Sequence, residues 1–178
     1  MRQLALPCRV PTAVLLTVAL AAGTGCANEA GAFRHWSVDF AGVRGVRPGM
    51  TVAEVARRWH VRFSFSTGSS PGCKIGGFMR DGVAGGALFQ DDRFDAVWFE
   101  SGVASLEGVK IGSRISDLRR VYGDRLRQVR NLYDVKRPLF FVRGGQQRLL
   151  LEFFSGRDGR IETIGFGDAF VLVQEGCN

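Results

Sequence analysis

The sequence predicts an α+β protein of two tandem repeats, each a short helix packed on an antiparallel β-meander. Three observations predict it: two segments 63 residues apart resemble each other, both place apolar residues at helical spacing, and both precede short alternating segments separated by turn residues. With 178 residues, 46% of them hydrophobic and 23% charged, the chain can bury a core.

The first 25 residues have the plan of a secretory signal peptide. Arg2 and Arg9 form a basic start, residues 10–22 form an apolar run of 13 residues, and small residues follow. A membrane-spanning helix needs about 20 apolar residues, so this run is too short to be one. We therefore expect export to a compartment where disulfides persist.

The end of the leader contains a candidate lipidation site. The stretch GTGC, residues 23–26, resembles the lipobox of bacterial lipoproteins, in which the cysteine is diacylated and becomes N-terminal after cleavage. This resemblance implies that Cys26 is the lipidated residue. Residues 26–40 would then form a tether. Within it, Phe33, Trp36 and Phe40 indicate a segment that packs as a strand. Ordinary cleavage after Ala27 is the alternative, because GCA also presents small residues to a signal peptidase.

Cysteine usage predicts one disulfide bridge. Cys8 is lost with the leader and Cys26 is lipidated or lost, which leaves Cys73 and Cys177. A bridge between them would close a loop of about a hundred residues, worth about 4 to 5 kcal/mol in the chain-entropy model. Two unpaired buried thiols are the alternative.

The exported chain is basic, with 22 Lys and Arg against 17 Asp and Glu once the leader is removed. Between Lys110 and Arg148 there are 11 basic residues and three aspartates. A run of charges usually forms a solvated basic surface, which is the interpretation we favour here. The other is an anionic partner: an envelope protein, lipid head groups or an acidic polymer. Nucleic acid is not expected, because no binding motif is present.

Two similar segments organise the chain into repeat 1, residues 41–105, and repeat 2, residues 106–178. VRPGMTVAEVARRWH at 46–60 aligns with VKIGSRISDLRRVYG at 109–123, and each reads as a turn ending at Gly followed by an amphipathic helix. Thr51 and Glu54 have the spacing of a capping box. The repeats are expected to pack together, because about 60 residues bury little surface alone.

Each predicted helix is followed by predicted strands. DRFDAVWF at 92–99 resembles GRIETIGF at 159–166, and both alternate with period two. The apolar runs GALF and RLLLEFF precede them, separated by QDD and SGRDG, so we expect hairpins. RFSF and PLFFV are further predicted strands.

The unit G-M-T-x-x-E-V, residues 49–55, followed by antiparallel strands resembles the secreted β-lactamase inhibitor proteins and, one unit at a time, the small outer-membrane assembly lipoproteins. The chain is also similar to actinobacterial exported proteins that end in EGC. The resemblance covers residues 43–177 and implies a binding protein. Those inhibitors close a local disulfide in each repeat, whereas each half of this chain has one cysteine. Their inhibitory loop has no counterpart here, so none of their binding residues is assigned to this sequence.

No catalytic or metal-binding constellation is expected. His35 and His60 are the only histidines, and a reduced Cys73 paired with His60 is the weak catalytic alternative. The cluster of Asp91, Asp92 and Asp95 reads as a hairpin turn and not as a metal site. Neither a metal nor a cofactor is therefore expected. The predicted partner-binding residues are Trp98, Phe99, Arg127 and Arg130, with one of the adjacent aromatics facing outward.

These observations predict an exported, lipid-anchored, non-catalytic binding protein of the bacterial envelope. The alternative is a secreted inhibitor of a hydrolase such as a β-lactamase.

Overall fold

Strand predominates in the computed structural model, with 54% of the described residues in strands and 15% in helices. The structure describes residues 36–67, 71–131, 134–144 and 149–168, all within a compact unit formed by residues 33–178. In chain order the elements are β1 (Trp36–Asp39), β2 (Gly42–Val43), α1 (Val52–Trp59), β3 (Ser64–Thr67), β4 (Cys73–Arg80), β5 (Val83–Gln90), β6 (Arg93–Ser101), β7 (Val103–Ser105), α2 (Ile115–Tyr122), a 3-10 turn (Gly123–Arg125), β8 (Leu126–Val129), β9 (Leu139–Arg143), β10 (Leu149–Ser155) and β11 (Ile161–Asp168).

The strands form two sheets. The larger sheet has eight antiparallel strands in the order β3-β4-β5-β6-β11-β10-β9-β8, and the smaller has three in the order β2-β1-β7. Tight turns join the first strands of the larger sheet: Asp81 and Gly82 between β4 and β5, and Asp91 and Asp92 between β5 and β6, all with positive φ. Two-residue turns of this kind match the right-handed twist of the strands they join.

The predicted fold class is wrong in its arrangement. The sequence predicted two repeats, each a helix on its own meander, and the structure instead has one continuous eight-stranded sheet in a mostly β chain. The joining contact is the antiparallel pairing of β6 with β11, in which Phe99 lies opposite Ile164 and Trp98 lies opposite Gly165. Two separate meanders would each leave an unpaired edge strand at this place, and pairing those edges satisfies their backbone N–H and C=O groups.

The two helices begin differently despite the similarity of their sequences. Thr51 caps α1 and forms a capping box with Glu54, as the spacing predicted: the Glu54 amide donates to Thr51 Oγ1 over 3.3 Å and the Thr51 amide donates to Glu54 Oε2 over 2.8 Å. At α2 the residue in the same position is Arg114, whose amide donates to Asp117 Oδ2 over 3.3 Å. No helix among the described residues is both long and apolar enough to cross a membrane.

One hydrophobic core lies between the helices and one face of the larger sheet. It takes buried side chains from both helices, both sheets and the connections between them. Trp59 of α1 is fully buried, contacts the ring of Phe78 at 5.3 Å between centroids and donates its indole N–H to the carbonyl of Val43 over 2.9 Å. Trp36, within the segment predicted as a tether, lies in β1 with 3% of its surface exposed. A strand there is what the aromatic residues indicated.

Candidate functional site

The face of the eight-stranded sheet that points away from α1 and α2 is here called the outer face. Successive side chains of a strand point to opposite faces. On β10, Leu151 and Phe153 belong to the core under the helices, so Glu152 between them lies on the outer face. On β6, Val97 and Phe99 belong to that core, so Trp98 lies on the outer face.

A line of directly paired residues crosses the outer face through all eight strands, and we call it the central row. From β8 to β3 its members are Arg127, Phe141, Glu152, Gly165, Trp98, Gly86, Gly77 and Ser64. Two of the predicted partner-binding residues, Trp98 and Arg127, are therefore on the same face. Neighbouring strands lie about 4.8 Å apart, which places the two backbones about 19 Å from each other.

The ring of Trp98 lies over Gly86 on the neighbouring strand. A Cβ atom built on Gly86 would come within 2.3 Å of Cζ2 of the Trp98 indole. The absence of a side chain at Gly86 therefore makes room for the ring. Trp98 packs against a small cluster of Cys73, Leu88 and Ala96 and stays half-buried, so part of the indole remains available to a partner.

Phe99 does not belong to this surface. The sequence placed it among the partner-binding residues, but its side chain is fully buried at 0% exposure in the core under the helices. Its ring lies 6.0 Å from that of Phe78 and 6.3 Å from that of Trp59. Phe99 is one residue from Trp98 on the same strand, and the alternation of side chains sends the two to opposite faces.

Glu152 is a buried carboxyl at the centre of the outer face. Its side chain is 2% exposed, and its Oε1 accepts no hydrogen bond from any described residue. Its neighbours on the face are Phe141 and Gly165 on the paired strands and Leu150 and Phe154 on its own strand. Burial among these apolar groups disfavours the charged form and raises the pKa of Glu152 to about 8. The carboxyl is therefore largely protonated at neutral pH.

Glu152 had a sequence signal that the predictions did not use. It is the one ionisable residue in the apolar run of β10, LLLEFFS. A charged residue is seldom fully buried without a partner, so its place inside a predicted core strand is unusual. Phe141 has no comparable sequence signal. It lies in an apolar strand, and only the structure shows on which face of the sheet its side chain lies.

Arginines surround β8, which forms one edge of the sheet among the described residues, and we call this group the basic edge. Its members are Arg119, Arg125, Arg127, Arg130 and Arg143. Within the described residues none of the five forms an ion pair with a carboxylate. Instead the guanidinium of Arg143 lies 5.7 Å from the ring centroid of Phe141, and that of Arg125 lies 5.4 Å from the ring of Tyr122.

Backbone and amide oxygens hold two other members of the basic edge. One guanidinium nitrogen of Arg127 donates to the carbonyl oxygens of Asp124 and Leu126, the latter over 3.1 Å. Arg119 donates to Gln128 Oε1 over 3.3 Å. These contacts orient the positive charges without neutralising them. Arg127 and Arg130, both predicted as partner-binding residues, are exposed.

A second charged region, by contrast, is paired within itself. A surface depression of about 450 Å³ is lined by Asp134, Arg137, Arg157, Asp158 and Glu162. Arg157 binds Asp134 over 3.0 Å, and Arg137 binds Glu162. The hydrogen bond from Arg157 holds the pKa of Asp134 below its usual value. Because these charges satisfy one another, the depression offers little to a ligand.

The residues considered for catalysis are dispersed. His60 caps the C-terminus of α1 with φ 54°, and its carbonyl accepts a hydrogen bond from Arg80 at one end of β4. Cys73 begins the other end of β4, about 23 Å away at the usual rise per residue. His60 and Cys73 are thus too far apart to form a nucleophile–base pair. His35 lies outside the described residues.

The acidic residues considered as metal ligands instead lie in and beside the turn of a hairpin. Asp91 and Asp92 form the turn between β5 and β6, and Asp92 pairs with Lys74 over 2.9 Å. No group of three or more potential metal ligands occurs within the described part of the chain.

The sequence-based predictions about the other cysteines concern undescribed positions. Cys73 is 4% exposed at the start of β4. Cys177, its predicted disulfide partner, and Cys26, the predicted lipidation site, lie outside the described residues. The bridge and the lipid anchor therefore stay predictions.

No protein-family model matches the chain, and neither does any curated protein. Two solved structures are similar to this chain. One is an extracellular protein containing a SCP domain from Bacillus anthracis str. Ames, with 7% identity and a TM-score of 0.49 over 70% of this chain and 45% of that one. The other is a cysteine-rich secretory protein from Staphylococcus aureus subsp. aureus Mu50, with 10% identity and a TM-score of 0.48 over 72% of this chain and 47% of that one. The chain spans less than half the length of either, and likeness at this level carries no functional argument. The resemblance to inhibitor proteins stays a prediction.

Proposed function

We propose that this protein is an exported, lipid-anchored binding protein of the bacterial envelope, and that its outer face and basic edge together hold an acidic protein partner. The observation that carries this proposal is the central row, which joins a half-buried Trp98 to an exposed Arg127 on one surface. Export and the lipid anchor rest on the leader and on Cys26.

The aromatic part of the central row supports a protein partner. Trp98 and Phe141 are each partly exposed, and only Glu152 and Gly165 separate them along the row. Aromatic residues supply much of the binding energy of protein interfaces, because a large ring is removed from water at little entropic cost. Gly86 lies beneath the indole, and Gly77, the next residue of the central row, is half-buried and adds no side chain beside it.

The basic edge supports an acidic partner. Its five arginines have no ionic partner within the described residues, whereas Arg80, Arg120, Arg137 and Arg157 are paired with carboxylates. Arginine is enriched at interfaces because its planar guanidinium binds a carboxylate through two parallel hydrogen bonds. Guanidinium groups without an ionic partner among the described residues, near the partly exposed ring of Phe141, favour a protein with acidic groups next to an apolar contact.

The test begins with site-specific photo-crosslinking in the protein's own cells. A benzophenone amino acid replaces Phe141 on the outer face, and in the control it replaces Arg57, which is exposed on α1. A species captured from position 141 and not from position 57 is identified and purified. We expect a protein with an acidic surface.

Affinity for the purified partner is then measured with matched variants. Arg127→Ala/Arg130→Ala removes two charges from the basic edge, and Arg57→Ala/Arg62→Ala removes two exposed charges elsewhere. At 0.2 to 1 kcal/mol for each exposed ion pair, we expect the first variant to bind about two- to thirtyfold more weakly and the second to bind like the wild type. Equal loss in both variants, or capture of anionic lipid alone, would contradict the proposal.

A further inference from the structure

Part of the outer face is buried although the helices lie on the other side of the sheet. Four directly paired residues, here called the buried row, cross it on β10, β11, β6 and β5: Leu150, Gly167, Ala96 and Leu88. Leu150 is 1% exposed and belongs to neither hydrophobic cluster of the described residues. Its paired neighbours are Gly167, which has no side chain, and Arg143, which is exposed. An apolar group on a sheet face is buried when a second layer packs on it, so Leu150 indicates such a layer.

Burial on the outer face increases toward one end of the sheet. Along β10 the outward side chains are Phe154, which is partly exposed, then Glu152 at 2% and Leu150 at 1%. Along β6, Glu100 is exposed at one end of the strand and Ala96 is 1% exposed near the other. The covering layer therefore lies at the end of the sheet where β6 and β10 begin.

The last strand of the sheet stops at this same end. β11 ends at Asp168, which is paired with Leu149 at the start of β10. The ten residues that follow, AFVLVQEGCN at 169–178, lie outside the described residues and contain the apolar run FVLV at 170–173. The segment 169–178 therefore starts one residue after Gly167 of the buried row.

The segment is long enough to cross the face. Cys73 begins β4 at the same end of the sheet, three strands from β11 and about 14 Å away at the usual strand spacing. Its side chain lies on the outer face, clustered with Leu88 and Ala96. The nine residues from Asp168 to Cys177 can span up to about 30 Å. A path over the buried row to Cys73 is within that reach, and it would bring the two cysteines of the predicted bridge together.

Two other segments fit the buried row less well. Residues 145–148, GQQR, join β9 to β10 at this end but contain no apolar side chain. The Gly144 amide donates to the Leu149 carbonyl over 3.1 Å, which closes that connection at the ends of the strands. The chain before Trp36 arrives on the opposite side of the sheet, because Trp36 packs in the core under the helices.

We propose that the C-terminal segment, residues 169–178, lies across the outer face as a strap that covers Leu150, Glu152 and the rest of the buried row. Its apolar run supplies the second layer on this face of the sheet. Its backbone amides are donors for Glu152 Oε1, which accepts no hydrogen bond from any described residue. Trp98 and Phe141 then flank the strap, so the strap forms part of the surface that a partner meets. The inference does not rest on the proposed function, because it concerns burial within the chain.

The test observes methyl contacts in the full mature chain. Nuclear Overhauser effects are measured on protein with 13C-labelled alanine, leucine and valine methyl groups. We expect contacts from the methyl groups of Val171, Leu172 or Val173 to those of Leu150. A sample that mixes labelled and unlabelled chains separates contacts within one chain from contacts between two copies, and we expect the former.

Matched variants test whether the strap buries Leu150. Val171→Asp/Leu172→Asp changes two adjacent positions of the strap, so that in an extended segment one of them faces the sheet. We expect loss of the strap contacts and broadening of the Leu150 methyl signals by a soluble gadolinium chelate, which reaches only exposed groups. Leu106→Asp/Val135→Asp is the control, at apolar positions that are 67% and 65% exposed, and it should change neither result.

The wild-type measurement decides the proposal even if the charged variant unfolds. The methyl signals of Val55 and Leu118, both 0% exposed in the core, report whether each variant is folded. Absence of strap contacts to Leu150 in the wild type, contacts only between copies, or equal protection of Leu150 in the two folded variants would overturn the strap. Photo-crosslinking from position 141 is independent of these results, so the two proposals can fail separately.

Discussion

The indole of Trp98 occupies the space that a side chain at position 86 would need. A Cβ atom at Gly86 would lie 2.3 Å from Cζ2 and 2.6 Å from Cε2 of that ring. The position of this half-buried ring, the largest of the central row, is thus set by a glycine on the next strand.

Gly86→Ala should displace the Trp98 ring and lower stability. A methyl group forced against packed ring atoms typically costs about 1 to 3 kcal/mol. The free energy of unfolding measured in urea gives the loss, and the near-ultraviolet circular dichroism of tryptophan reports the movement of the ring. The matched control is Gly77→Ala in the same row, where the nearest atom would be the Ser64 carbonyl oxygen at 3.7 Å. A similar loss in both variants would contradict the proposed contact.

Stability should fall as the pH rises from about 5 to 8 because of Glu152. Below its ordinary pKa of 4.5 the carboxyl is protonated in the folded and unfolded chains alike, so it has no effect. Between pH 4.5 and its folded pKa of about 8 the unfolded chain releases the proton while the folded protein keeps it, which favours unfolding. The full change is on the order of 5 kcal/mol, and it stops growing above pH 8.

Glu152→Gln removes this titration and should flatten the curve. Urea unfolding from pH 4 to 9 compares the two proteins. We expect similar stability at pH 4 and higher stability of Glu152→Gln at pH 8. Parallel curves for the two proteins would show that another group causes the dependence.

Thr51→Ala should destabilise α1 through the loss of its cap. The substitution removes the hydroxyl that accepts from the Glu54 amide, and the loss of such a cap costs about 0.5 to 2 kcal/mol. Arg114→Ala at the start of α2 is the control, because the bond to Asp117 there comes from the backbone amide and survives the change. Thermal unfolding should separate the two variants, and identical transition temperatures would argue against the cap.

Cys26→Ser should release the protein from the membrane. If Cys26 is the lipidated residue, the mature wild-type chain begins there and carries a diacylglyceryl group, which the intact mass of protein purified from its own cells detects. The variant should move from the membrane fraction to the soluble fraction. An unmodified wild-type chain that begins at Asn28 would instead support ordinary secretion. The same mass measurement before and after reduction tests the predicted Cys73–Cys177 bridge.

Local features of this protein could be predicted from its sequence. The capping box at Thr51 and Glu54, the Asp91–Asp92 turn and the strands around Phe94, Phe140 and Phe153 depend on residues close together in the chain. The three-stranded sheet was missed in part, because its parallel pairing of β1 with β7 joins residues more than sixty positions apart.

The candidate site depended on tertiary structure. Period-two alternation showed that Trp98 and Phe99 face opposite ways, but only the position of the core decided that Phe99 is buried and Trp98 is not. Glu152 became significant once β10 was placed inside a continuous sheet, two strands from Trp98. The sequence by itself determined the first turn of α1 and the alternation of the strands, because local sterics and hydrogen bonds set them. The pairing of β6 with β11, and with it the central row, was decided by the tertiary structure, because strand edges have the same backbone groups whatever their sequence.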